Sequence, residues 1–474
     1  MPTRPPSSLD PLHASVQQWN AGTLAAQTLW TRGLGPDAVA AAARQRWATL
    51  VRHARTHSPF YRRRWRHLPA RELAPADVPV VTKDELMASF DDWCTDRAIA
   101  WRDVAAFLAA RAHIGERFRG KYLVWTSSGT TGRPGVFVQD DAALAAYDAL
   151  VSVQFAGAAL ATCDWTAAVA AGGRAALVAA DCDHFASIAS WRRIARGKPW
   201  LAMASFAVTS PLAEIVAGLN AYQPAFLAGY PTVLALLAAE RRAGRLAVRP
   251  AALWAGGEVL TPTTRAAIEQ AFGCPLVNEY GASECLTIGY GCREGWLHVN
   301  ADWVLMEPVD ADLRPTAPGA LSHTVLVTNL ANAVQPVIRY DLRDRVRVAP
   351  GRCACGDPLP ALKVEGRRDD VLTLTARDGA QVRLVPLALV TVVETQARVH
   401  RFQIVQRGER SVQLRLAADE RAHAGAPAVA ALRDYLAQQG LSNVRVTLAP
   451  EGPRADAPDG KLQQVVGLAD PAPD

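Results

Sequence analysis

The chain has 474 residues, half of them apolar, and a net charge of only +6. That length supports a large core and two domains or more, while the scattered basic residues leave no nucleic-acid footprint. Charges interrupt every apolar stretch, Asp164 and Arg174 breaking even the most hydrophobic one (156–181), so no membrane span is expected.

The N-terminal MPTRPPSSLDPL lacks an apolar signal core, which reads as a cytoplasmic protein. Its eight cysteines are then expected as reduced thiols or metal ligands. Residues 1–60 read as helical, in Ala-, Gln- and Trp-rich amphipathic stretches. Arg62, Arg63, Arg64 and Arg66 interleave with Tyr61 and Trp65, the pattern of a solvated helix face with aromatic rings turned inward. PVVTKDELM, 79–87, predicts a short extended segment entering a helix, with Thr82 as N-cap and Glu85 at the capping-box position.

From 122 to about 350 the pattern alternates. Apolar runs (Tyr122–Trp125, 225–227, 251–255, 276–278, 324–328) are separated by helical stretches (141–154, 211–221, 231–243, 262–272). This rhythm predicts an α/β architecture with mixed or largely parallel sheets and flanking helices. After Gly366 come short strands (371–375, 382–385, 401–406, 411–417, 443–448) and two helices (386–397, 425–439), a small α+β unit. The polar GRRDD at 366–370 marks the expected boundary, giving a large unit over 1–365 and a small mobile one over 366–474. No internal repeat is present, and the closing ADPAPD is expected to fray.

The most informative stretch is YLVWTSSGTTGRP, 122–134. A strand feeds directly into Thr126, Ser127, Ser128, Gly129, Thr130, Thr131 and Gly132, followed by Arg133 and Pro134. Hydroxyls and free backbone N–H groups wrap a polyphosphate, and glycine lets the backbone approach its oxygens. The spacing departs from the commoner phosphate loop, which needs four residues between its glycines and then Gly-Lys-Ser/Thr. Further on, Trp254-Ala255-Gly256-Gly257-Glu258 ends an apolar strand in a Gly-Gly step against which a flat base could lie.

This loop resembles that of the adenylate-forming superfamily of acyl-CoA synthetases, luciferases and peptide-synthetase adenylation domains. Other motifs follow in that superfamily's order. Asn278-Glu279-Tyr280-Gly281-Ala282-Ser283-Glu284 is similar to its Tyr-Gly-x-Ser/Thr-Glu segment. The resemblance implies that Tyr280 stacks on adenine, that Asn278 meets its edge, and that Glu284 holds Mg²⁺ on the ATP phosphates. In RYDLRD, 339–344, Asp344 stands where the family's aspartate holds the ribose, with Arg343 in place of the usual glycine. Gly366-Arg367-Arg368-Asp369-Asp370 resembles the hinge, Arg367 reaching the nucleotide and Asp369 acting as pivot. Lys461, in PDGK, matches the lysine that bridges the substrate carboxylate and the α-phosphate. Only five of the 51 basic residues are lysines, which adds weight to this one. The resemblance covers about 79–466 and looks closest to the phenylacetate–CoA ligase branch. TARDGAQVRLVP, 375–386, departs from the family's glycine-centred loop after the hinge.

Cys292 and His298 in GYGCREGWLHV, with Cys353 and Cys355 in GRCACGDP, offer three thiolates and an imidazole. They are expected to form a closed, tetrahedral, structural Zn²⁺ site. Cys94, Cys163, Cys182, Cys274 and Cys285 read as buried or incidental, with Cys285 lining the pocket without reacting.

The expected activity is ATP- and Mg²⁺-dependent activation of a small carboxylic acid, aromatic by the family resemblance, through an acyl-adenylate. A thioester would follow, with coenzyme A as the default thiol. The competing expectations are loading of a carrier-protein phosphopantetheine and a non-catalytic nucleotide-binding regulator. Trp165, Phe206, Tyr230 and Ala255 are the candidate walls of the acyl pocket. No nucleic-acid or membrane partner is expected, and a homodimer is left open.

Overall fold

The computed structural model describes residues 11–69, 71–127, 134–159, 163, 165–170, 172–181, 183–199, 201–364, 372–384, 386–399, 402–454 and 464–467. The chain opens with helices α1 (Pro11–Gly33), α2 (Pro36–His57), α3 (Pro59–Arg64), α4 (Lys83–Ala88), α5 (Phe90–Trp93) and α6 (Trp101–Leu108). Tyr61 and Trp65 are fully buried while Arg63 is exposed, so this cluster is a helix face and its packed underside. The Thr82 hydroxyl accepts from Glu85 N, and Glu85 Oε2 accepts from Thr82 N at 2.9 Å, closing the expected box at α4. Arg32 fixes the end of α1, reaching Asp302 at 2.8 Å and Asn300 at 2.9 Å.

Next come β1 (Arg117–Phe118), β2 (Tyr122–Thr126), β3 (Val136–Gln139), α7 (Asp141–Ala159), α8 (Trp165–Ala170), β4 (Ala175–Ala179), α9 (Ala186–Gly197), β5 (Met203–Ala207), α10 (Leu212–Tyr222), β6 (Phe226–Gly229), α11 (Pro231–Arg242), β7 (Ala252–Ala255), α12 (Pro262–Phe272) and β8 (Leu276–Ala282). A run of strands follows: β9 (Cys285–Gly291), β10 (Leu297–Val299), β11 (Val304–Val309), β12 (Thr324–Asn329), β13 (Tyr340–Asp341), β14 (Val346–Val348) and β15 (Ala361–Val364). The last elements are β16 (Leu372–Thr375), β17 (Gln381–Leu384), α13 (Pro386–Ala397), β18 (Phe402–Gly408), β19 (Ser411–Leu416), α14 (Ala418–Gln438), β20 (Arg445–Leu448) and β21 (Val465–Val466).

The central sheet has nine strands in the order β14-β15-β10-β9-β8-β7-β6-β4-β5. From β5 to β8 it is parallel; from β8 to β14 it is antiparallel. The sheet is therefore mixed, in keeping with the expected α/β architecture, with its parallel strands confined to one half. Past β8 the crossover helices stop, and hairpins can join only antiparallel neighbours. The strand before the phosphate loop sits in a separate antiparallel sheet, β1-β2-β3, so residues 127–135 join two antiparallel strands. A third sheet, β11-β12-β13, is also antiparallel.

Residues beyond 371 form the hairpin β16-β17 and the sheet β20-β19-β18-β21. Helix α14, expected from 425, begins at Ala418 and runs through Pro427. No helix among the described residues is long and apolar enough to cross a membrane.

Register sorts the central sheet's side chains. Phe206, Val178, Gly229, Ala255 and Asn278 pair in succession and share one face; Ala228, Trp254 and Val277 form a row on the other. Helices α10 and α11 cover the first face, shown by Gly218 against the Phe206 ring and Gly229 against Leu234. Helices α7 and α8 cover the second: Phe155 and Trp165 lie 5.4 and 6.3 Å from the Phe226 ring.

Candidate active site and cysteine–histidine cluster

The parallel strands end on one edge, where open α/β sheets bind ligands. At the phosphate-loop end, Ser127 N donates to Gly135 O (2.9 Å) and Gly135 N to Ser127 Oγ (2.8 Å). Ser127 therefore closes the base of the loop. Ser128, Gly129, Thr130, Thr131, Gly132 and Arg133 lie outside the described residues. Two contacts tie this base to the β8–β9 turn: Ser283 Oγ donates to Thr126 O (3.2 Å), and Trp125 Nε1 donates to Ser283 O (2.7 Å).

Next in that turn is Glu284, buried, whose Oε1 accepts from the Tyr340 hydroxyl at 2.7 Å. Burial, together with the negative Glu284, pushes the Tyr340 phenol far up, so it remains a donor. Asn329 Nδ2 grips the Glu284 carbonyl at 3.0 Å and the Tyr147 hydroxyl at 2.6 Å. A fixed carboxylate of this kind suits Mg²⁺. Sequence reasoning missed Tyr340, Asn329 and Tyr147; Tyr340 alone lay within a recognised motif.

Beyond the turn, the Tyr280 hydroxyl donates to Asp344 Oδ2 at 2.8 Å, joining two motifs 64 residues apart. Arg343 adopts φ 62°, and its N–H donates to Asp341 Oδ1 at 3.1 Å. The position where the resemblance leads one to expect glycine is thus left-handed, and the Asp341 side chain holds it there. Gly281 allows no other residue, since a Cβ would lie 1.9 Å from Leu286 O. Gly257 sits at φ 80° beneath the Tyr230 ring. Glu258 accepts from Thr232 N (3.1 Å) and Thr232 Oγ1 (2.7 Å), so it caps α11. Arg367, Asp369 and Lys461 lie outside the described residues.

Glu279 takes the opposite face of its strand. Strand alternation turns it from the face of Asn278 and Tyr280 to that of Trp254, whose Nε1 donates to Glu279 Oε2 at 2.8 Å. Thr287 Oγ1 donates to Oε1 at 3.1 Å. Burial raises this carboxyl to about 7, against the partial relief of those two neutral donors. The four suggested pocket walls also separate. Phe206 and Ala255 face the α10–α11 side, Tyr230 covers Gly257, and Trp165 stays with Phe155 and Phe226.

The ligand atoms of Cys292, His298, Cys353 and Cys355 all lie within 4.8 Å of one another. Cys292 follows β9, and Gly295 N closes on its carbonyl in the turn to β10, which carries His298; Cys353 and Cys355 come from the β14–β15 loop. Cys292 Sγ and Cys353 Sγ are 3.7 Å apart, near the roughly 3.8 Å edge of a tetrahedron with Zn–S bonds of about 2.3 Å. His298 is fully buried; its Nδ1 lies 3.0 Å from Leu359 O, leaving Nε2 facing Cys355 Sγ at 3.2 Å. A carbonyl on Nδ1 presents Nε2 as the ligating nitrogen. Burial and the adjacent Cys353 and Cys292 push the Cys355 thiol up to about 12. Cys285 is a core residue, not a pocket lining, and burial raises its thiol strongly.

Residues 65–318, more than half of the chain, match the family of AMP-binding enzymes, and the chain belongs to that family. It is thus a member of the adenylate-forming superfamily. Protein CapK of Staphylococcus aureus is 29% identical over 134 residues, 27% of this chain and 28% of CapK, so just over a quarter of that relative is matched. The fold is shared with 2-hydroxyisobutyryl-CoA ligase. With its complex with 2-HIB-AMP and CoA in the thioesterification state, the TM-score is 0.54 at 22% identity, over 90% of this chain and 89% of the other. With the postadenylation state in complex with 2-HIB-AMP it is 0.50 at 20% identity, over 91% and 89%.

Proposed function

We propose that this protein is an AMP-forming acid–thiol ligase, converting a carboxylic acid and ATP to an acyl-adenylate and pyrophosphate and then to a thioester. The observation that carries the reading is the wiring of distant motifs into one edge: Thr126 to Ser283, Glu284 to Tyr340, Tyr280 to Asp344. In this reading Tyr280 and Asp344 hold the nucleoside, and Glu284, kept in place by Tyr340, takes Mg²⁺ on the phosphates. Lys461 stabilises charge at the α-phosphorus. Residues 366–474 act as a lid that turns about Asp369, with Arg367 reaching the nucleotide. Coenzyme A is the thiol, as the complexes of 2-hydroxyisobutyryl-CoA ligase suggest. The ring cluster of Phe155, Trp165 and Phe226 favours an aryl or arylacetic acid. Cys292, His298, Cys353 and Cys355 hold one structural Zn²⁺, which supplies no chemistry and pins the β9–β10 hairpin to the β14–β15 loop.

The test is ATP–pyrophosphate exchange over a panel of aryl, arylacetic and aliphatic acids. Exchange with one acid class, falling by about 100-fold or more in Lys461→Ala, is the expected result. Tight ATP binding with no exchange for any acid would overturn the reading.

A further inference from the structure

A buried polar chain joins the Glu284 turn to the strand that leaves the phosphate loop. Its centre is the stretch from Asn329, the last residue of β12, to Tyr340, the first of β13. Within that stretch Asn329, Asn332 and Gln335 recur at every third position, each at 1% exposure or less. Amide side chains are mostly exposed in folded proteins, and a buried one without partners costs roughly 1–3 kcal/mol. These three are engaged on two sides.

On the Glu284 side, Asn329 Nδ2 donates to the Glu284 carbonyl and the Tyr340 hydroxyl to Glu284 Oε1, so one segment holds both the backbone and the carboxylate. On the phosphate-loop side lies β3, the edge strand of its sheet. Asn332 Nδ2 donates to Val138 O and to Gln139 Oε1, both at 2.9 Å. Gln335 Oε1 accepts from Val138 N at 2.7 Å, and its Nε2 donates to Val136 O at 3.3 Å. Amide side chains thus stand where a further strand would pair. Val136 follows Gly135 directly, and Gly135 closes the base of the loop on Ser127. Two links tie the sides together. Gln335 N donates to Asn332 Oδ1 at 3.1 Å. The Tyr147 hydroxyl accepts from Asn329 Nδ2 at 2.6 Å and donates to Gln139 Oε1 at 3.3 Å.

We infer that residues 329–340 brace the Mg²⁺ carboxylate against the phosphate loop, with Asn329 and Asn332 as positioning residues for metal-bound ATP. The inference rests on the adenylation reading, in which Glu284 holds the metal and the loop holds the phosphates. Mg²⁺ demands near-ideal octahedral geometry and is shared between carboxylate and phosphate oxygens, so the spacing of the two sets its affinity. A buried network with its hydrogen bonds made is rigid, which is what such a brace requires. Neither amide touches the metal; each acts through the groups it holds.

The experiment is calorimetric ATP binding without any acid, in excess Mg²⁺ and in EDTA. The ratio of the two affinities is the metal's contribution, and it is internal to each enzyme. The enzymes are the wild type, Glu284→Gln, Asn329→Ala, Asn332→Ala and Tyr147→Phe. Glu284→Gln should lose most of the ratio. Asn329→Ala and Asn332→Ala should lose about tenfold or more of it, with affinity in EDTA unchanged. Tyr147→Phe removes one hydroxyl from the bridge and should fall between them and the wild type; it carries the test if melting temperatures show that an alanine variant has not folded. A wild-type ratio in all three bridge variants overturns the brace. So does an equal fall with and without Mg²⁺, which is what a purely structural role would produce, or a full ratio in Glu284→Gln. Exchange over the acid panel, run beside it, keeps the two readings apart. A ratio lost in the bridge variants with no exchange for any acid overturns adenylation and leaves the brace; exchange with an untouched ratio does the reverse.

Discussion

The central sheet is two machines joined at β8. Its parallel half, β5 to β8, ends on one edge, and what gathers there comes from the turns that follow its strands. Its antiparallel half, β8 to β14, brings hairpins into register and gathers three cysteines and a histidine to one point. Crossover helices spread functional groups along an edge, whereas hairpins bring them to a point. The parallel half should therefore tolerate change in its ligands with little loss of fold, and the antiparallel half should not.

The largest expected effect breaks the antiparallel half. A structural Zn²⁺ binds its ligands with on the order of 10 kcal/mol, and that binding energy adds to folding. The purified chain should contain one zinc per molecule, by elemental analysis. Cys353→Ser with Cys355→Ser should lose it and melt well below the wild type. A metal-free wild type, or a zinc-free double variant melting with the wild type, would show that hydrogen bonds such as His298–Leu359 hold the knot unaided.

Much of the parallel half was legible because each β–α step puts its strand and its helix in one local stretch. Helices α7 and α10 to α12 and strands β6, β7 and β8 lie within a few residues of expectation, apart from longer C-terminal ends such as β8, while β4 and β5 were not foreseen. The antiparallel half was mostly illegible. Strands β10 and β14 have three residues each, too short for a period to show. The four metal-type residues were found by side-chain chemistry alone, without the strands that converge them. The face assignment of Glu279 needed the register of β7 against β8: a residue's neighbours in a motif say nothing about which side of a strand it takes.

A smaller effect sharpens the comparison at β8, where the two halves meet. Glu279 holds its proton up to about 7 in the fold, against an ordinary value of 4.5. Between those values the native state carries a proton that the unfolded chain has lost, so stability falls as pH rises through this window and levels off above it. The groups acting on the carboxylate, Trp254 and Thr287, are uncharged and set no second transition in that range. The full loss is about 3 kcal/mol. Glu279→Gln keeps the shape and removes the titration, so it should match the wild type near pH 4.5 and exceed it by about that amount at pH 8.5, in denaturant titrations without substrate. A difference that does not change with pH would mean that solvent reaches the carboxylate freely.

The smallest effect concerns Arg343, at the edge where the parallel half receives Asp344. A left-handed non-glycine residue carries a strain of about 1–2 kcal/mol, here offset in part by the N–H bond to Asp341 Oδ1. Glycine would relieve the strain and keep that bond, but it gives back about 0.4–1 kcal/mol through a freer unfolded chain. Arg343→Gly should therefore change stability by less than about 1 kcal/mol. Arg343→Val is the sharper probe, because a β-branched side chain is the worst tolerated at positive φ. Valine should cost more than glycine in melting temperature, and by moving Asp344 away from Tyr280 it should raise the KM for ATP in exchange assays. Equal behaviour of the two variants would mean that the turn relaxes out of the left-handed region without releasing Asp344 from Tyr280.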